Sequence, residues 1–109
     1  MLYITGDMHG DFSRIKTPAV KRLRKGDFLF VCGDFGFIWN GGHAEQKILK
    51  KLDRQKFTLL FVEGVHENFD LLEKYEVVDY CGGKARKIGQ KIYQLLRGYV
   101  FTIEGRKFF

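Results

Sequence analysis

Two cysteines and a single proline punctuate the 109 residues, and the longest uninterrupted apolar run is Phe28-Leu29-Phe30-Val31-Cys32. Cys32 and Cys81 are too few for a disulfide framework and are not spaced as a metal-ligand pair. Five apolar residues fall far short of the roughly 20 that span a bilayer, so no membrane partner is expected. The start, Met1-Leu2-Tyr3-Ile4-Thr5-Gly6-Asp7, lacks the basic opening and long apolar run of a secretory signal. Both thiols are therefore expected to be reduced, in a cytoplasm. Cys32, closing an apolar strand, is expected to be a buried structural thiol. No linker or repeat divides the chain, which predicts one domain over residues 1–109. The glycine turns match neither a Walker loop nor a dinucleotide fingerprint, which sets nucleotide cofactors aside. What is present is globular: 45% hydrophobic and 29% charged residues. The net charge of +6 favours acidic partners such as phosphate esters, nucleic acid or an acidic protein face.

Leu2 to Thr5, Phe28 to Cys32 and Phe57 to Val62 are short apolar runs, ended by Gly6, Gly33-Asp34 and Glu63-Gly64, and read as buried strands. Between them, Phe12 to Lys25 has weak helical spacing broken early by Pro18. The clearest helix runs from His43 to about Arg54, opened by Asn40 or Gly42. Its apolar stripe is Ala44, Ile48, Leu49 and Leu52, with Lys47, Lys50, Lys51 and Arg54 facing water. Strand and helix alternating at this spacing imply parallel pairing with right-handed crossovers. Phe69 to Tyr75 suits a short helix. Ile92 to Leu96, Tyr99 to Ile103 and Lys107 to Phe109 read as strands, with turns at Gly98 and Glu104-Gly105. An α/β front half, a parallel βαβαβ core, is thus followed by a β-rich C-terminal tail.

Polar residues gather where the first three strands stop: Gly6-Asp7-Met8-His9-Gly10-Asp11, Gly33-Asp34-Phe35-Gly36 and Gly64-Val65-His66-Glu67. In parallel α/β sheets ligands bind beyond the carboxyl ends of the strands. Asp7 and His9, two apart in extended backbone, share one side and suit a common ion. A carboxylate from the next strand, Asp34, suits a bridge between two ions. Carboxylate with imidazole favours Mn, Fe, Zn or Ni over Mg or Ca. An aspartate after a strand is ordinarily a turn or cap residue. Three glycine-flanked clusters at three successive strand ends argue for a metal site instead. The basic groups, Lys21 to Lys25, Lys50 to Lys56 and Lys84 to Lys91, read chiefly as solvated faces.

At these residues the chain resembles the calcineurin-like metallophosphoesterases, whose signature is D-x-H, then GD, then GNH[DE], each ending a strand. Asp7-Met8-His9 and Gly33-Asp34 match, and Gly64-Val65-His66-Glu67 matches with one change. The resemblance spans essentially the whole chain. It implies that Asp7 and His9 bind a first metal, that Asp34 bridges to a second, and that His66 serves the leaving group or the phosphoryl transition state. Asp11, Glu67 and Asn68 fall beside these residues, either behind the ligands or on the substrate side. It also implies a divalent metal, manganese before iron, zinc or nickel, at partial occupancy or absent. Where the family's asparagine ligates the second metal, this chain has Val65, which offers no lone pair. The family's further histidines come from a second β-half. Here the remaining histidine is His43, at the start of a helix. The chain therefore reads as a truncated first half of the family's β-sandwich.

Three functions follow as expectations. The first is a degenerate metallophosphoesterase, of phage or mobile-element type, acting mainly as a binding or inhibitory protein. The second is residual single-metal phosphodiesterase or phosphatase activity at Asp7, His9 and Asp34 with His66 as acid. The third is a basic nucleic-acid-binding protein. A halved sandwich leaves an open strand edge and an apolar face. Either the tail strands fold back over them, or a protein partner or second copy docks through Tyr99, Phe101 and Lys107-Phe108-Phe109.

Overall fold

The apolar runs after Asp27 and after Lys56 become strands buried from both sides, which is why they read as continuous rather than alternating, whereas Leu2–Thr5 is only partly buried. A computed structural model describes residues 2–6, 16–32, 35, 42–62, 69–96, 98–103 and 105–108. In chain order its elements are β1 (Leu2–Thr5), α1 (Pro18–Lys21), β2 (Phe28–Val31), α2 (His43–Asp53), β3 (Thr58–Phe61) and α3 (Phe69–Leu72). There follow β4 (Val77–Tyr80), β5 (Gly83–Lys87), β6 (Ile92–Leu95), β7 (Phe101–Ile103) and β8 (Arg106–Phe108). Six strands form one sheet in the order β1-β2-β3-β6-β5-β4, and β7 pairs with β8 separately. Strands β1, β2, β3 and β6 are parallel, while β5 runs antiparallel to β6 and β4 antiparallel to β5. The expected parallel α/β core with a β-rich tail is the observed architecture.

Alternation along the strands sorts the core into two layers. Leu29, Val31, Leu59, Phe61 and Ile92 face the helices, where Val20, Leu49, Leu52 and Leu72 close over them. Phe30, Leu60, Ala85 and Leu95 face the other way and pack on Phe101 and Ile103 of β7. The tail hairpin thus folds back over the sheet. Phe101, expected as a docking residue, is core instead, because its alternate positions along β7 face inward. The cover stops short of the sheet edge: Ile4 of β1 stays 56% exposed.

Three local expectations change. Pro18 begins α1 rather than breaking a helix: its fixed φ suits the first helical position, and the Thr17 hydroxyl accepts from the Val20 N–H at 3.4 Å. The residues from 12 to 15 lie outside the described set. A hairpin not anticipated from the sequence, β4–β5, turns through Cys81 and Gly82, with φ of 50° and 92°. Two successive positive φ values are what a two-residue type I′ turn requires. Finally, Cys32 is exposed, not buried. It sits one residue past β2, where its N–H donates to the Thr5 carbonyl at 2.9 Å, and it shares Phe30's side of the strand beyond the reach of the hairpin.

Candidate metal centre at the strand ends

Register decides whether the three polar clusters have a common address. Thr5 pairs with Val31, and Val31 with Phe61, so the last residues of β1, β2 and β3 stand at one level. From this level the chain runs two residues to Asp7, three to Asp34 and five to His66. Parallel pairing of adjacent strands therefore puts the three strand ends that precede these clusters on the same sheet edge. Asp7, His9, Asp11, Asp34, His66, Glu67 and Asn68 themselves lie outside the described residues. Among the described residues no group of three His, Cys, Asp or Glu side chains is arranged to hold a metal.

Two residues at this edge escaped the sequence reading. Phe35, directly after Asp34, is fully buried, and its ring stacks on Phe61 with centroids 4.1 Å apart and planes 12° from parallel. The residue following the candidate bridging carboxylate is thereby pinned to the end of β3. Gln94 is opposite Phe61 on β6. At 3% exposure it is the buried polar side chain at this level among the described residues. Its only sequence signal is an amide inside the apolar run Ile92 to Leu96. The described edge thus spans four parallel strands, one more than the motifs alone indicate.

By residue type alone, the carboxylates of Asp7 and Asp34 and the imidazole of His9 make a donor set that fits a first divalent ion. That mixture of oxygen and nitrogen donors suits a first-row transition metal. It fits a second ion less well, since the isopropyl group of Val65 cannot coordinate. No described helix is long and apolar enough to cross a membrane.

A sequence model of the calcineurin-like phosphoesterases matches residues 1–106. Comparisons with curated proteins and with solved structures give no significant match.

Proposed function

Because the chain belongs to the calcineurin-like phosphoesterase family, we propose that its strand ends form a metal-dependent phosphoester-hydrolysing site weakened at the second ion. The observation that carries this reading is the shared level of Thr5, Val31 and Phe61. It gives the D-x-H, GD and G-x-H-E segments one edge to converge on. Asp7 and His9 would hold a divalent ion, manganese first, and Asp34 would be the carboxylate shared with a second. A divalent ion held there supplies Lewis-acid polarisation of the phosphoryl group and a nucleophile ready at neutral pH. His66 carries the proton that a leaving oxygen needs, since an imidazole titrates near neutrality. Asp11, Glu67 and Asn68 flank the substrate side.

Val65 favours a second reading, in which the domain binds or inhibits a protein partner and hydrolysis is residual. Losing one electrostatic stabiliser from such a site costs about 10²–10³ in rate, which leaves turnover slow. One assay separates the two. Manganese-dependent hydrolysis of a bis-aryl phosphate, abolished by His9→Ala and raised at least about 10²-fold by Val65→Asn, is the expected result. Hydrolysis indifferent to His9→Ala, or absent in both the parent and Val65→Asn, contradicts the hydrolytic site. Nanomolar capture of a protein partner that survives Asp7→Ala and His9→Ala then supports the binding role.

A further inference from the structure

Away from the strand ends, a cleft opens where α1 finishes and where α2 turns into β3. Its volume is about 260 Å³, and Leu23 and Phe57, each only 3% exposed, form part of its floor. Lys21, Arg54 and Lys56 surround it, Gln55 completes one wall, and among the described residues no carboxylate lines it. Leu23 and Phe57 precede β2 and β3, so the cleft lies at the sheet edge opposite the candidate metal centre. A four-residue strand, about 13 Å long, separates the two edges.

Basic residues at a helix C-terminus commonly serve the helix itself, by meeting its unpaired carbonyls and its dipole. Here that work is already done by other groups. The Lys50 carbonyl accepts from the Arg54 N–H at 3.1 Å, and that of Leu52 from the Gln55 N–H at 3.2 Å. The Lys51 carbonyl takes the Gln55 side-chain amide at 3.0 Å, and the Gln55 carbonyl takes the Lys91 ammonium at 3.1 Å. The nearby acids are also committed. Asp53 accepts from the Gln90 and Lys91 N–H groups at 3.0 and 2.7 Å, and Asp27 from the Arg24 N–H at 2.9 Å. Three cations consequently border a concavity in which no described residue supplies a carboxylate wall.

We propose that this cleft is a second, metal-independent anion site, which seats a phosphate group between Lys21, Arg54 and Lys56. A guanidinium presents paired N–H donors that match two phosphate oxygens, and the ammonium groups add point charge. The volume exceeds that of a phosphate ion yet falls below the roughly 300–1,000 Å³ of a pocket that engulfs a drug-sized ligand. It suits the phosphate end of a larger molecule. Such a group comes from a small phosphorylated compound or from a nucleic-acid backbone, and the two sources part on testing.

Binding is measured in excess EDTA, which silences any metal-borne phosphate site, with inorganic phosphate, adenosine monophosphate and a fluorescent single-stranded oligonucleotide as probes. The double variant Arg54→Gln/Lys56→Gln is compared with Lys47→Gln/Lys74→Gln, which removes equal charge from exposed positions outside the cleft. The first pair is expected to weaken at least one probe about tenfold or more while the second changes it less than about twofold. For the oligonucleotide it also lowers the log–log salt slope by about 0.7, the share of the one backbone phosphate seated in the cleft. A loss with the small phosphates identifies a compact ligand, and a loss with the oligonucleotide alone identifies the backbone. Equal losses in both pairs, or no binding by the parent chain to any probe at millimolar concentration, overturn the site.

Discussion

Phe35 ties the chemistry to the core more closely than any other described residue. Its buried ring lies on Phe61 at the end of β3, while the preceding residue is the candidate bridging aspartate. Phe35→Ala is expected to cost about 3–5 kcal/mol of stability through lost burial and the cavity left behind. Phe35→Leu costs less, and urea denaturation distinguishes them. A pH effect belongs to the same scale. Burial, with the neighbouring Cys81 as a lesser cause, holds the Tyr80 phenol well above its ordinary value, and its ring stacks on Tyr93 at 4.2 Å. A raised folded-state pKa means that the fold prefers the neutral phenol. This contribution is intact below the unfolded tyrosine's pKa of about 10 and fades as pH climbs past it. The Cys81 thiol, also pushed up by burial, has the same sign. Tyr80→Phe should leave stability at pH 7 nearly unchanged and flatten its decline above about pH 10, as followed by thermal melting across pH.

Among the elements, the contact between β5 and β7 carries the second core layer. Gly83 admits it: a Cβ there would stand 2.6 Å from the Phe101 ring and 2.8 Å from the Tyr99 Cβ. Gly83→Ala is therefore expected to destabilise by about 1–3 kcal/mol, as overpacking does. It should also speed hydrogen exchange at the Thr102 N–H, which donates to the Cys81 carbonyl at 2.8 Å. The elements differ in how plainly the residues announced them. Strands β2 and β3 were legible because burial on both faces leaves uninterrupted apolar runs, and β1 from its short run Leu2-Tyr3-Ile4 although it stays partly exposed. Helix α2 was legible from Ile48, Leu49 and Leu52 on one stripe. The β4–β5 hairpin was not, since Asp79, Lys84, Arg86 and Lys87 dilute its alternation. Cys81 also holds a left-handed position where asparagine or glycine would have signalled the turn. At the site, glycine-flanked Asp7, Asp34 and His66 were visible as motifs. Phe35 and Gln94 were not, because their role depends on cross-strand register.

For the whole molecule, the helices cover one face of the sheet and the β7–β8 hairpin covers the middle of the other, leaving two opposed edges with different chemistry. One edge holds the strand ends that precede the family's metal-ligand motifs in sequence. The other carries a cation-lined cleft, in a chain whose charge totals +6. Metal should affect only the first edge and salt chiefly the second, so chelation and ionic strength provide independent controls. Manganese bound per chain, measured at equilibrium for the parent protein, His9→Ala and Val65→Asn, bears most directly on the convergence of the three strand ends. About one ion in the parent is expected, since catalytic sites often hold a metal with three protein ligands. His9→Ala should lose it, and Val65→Asn should move the count toward two. No manganese bound by the parent, or a count that neither substitution changes, would contradict the convergence of Asp7, His9 and Asp34 on a shared site.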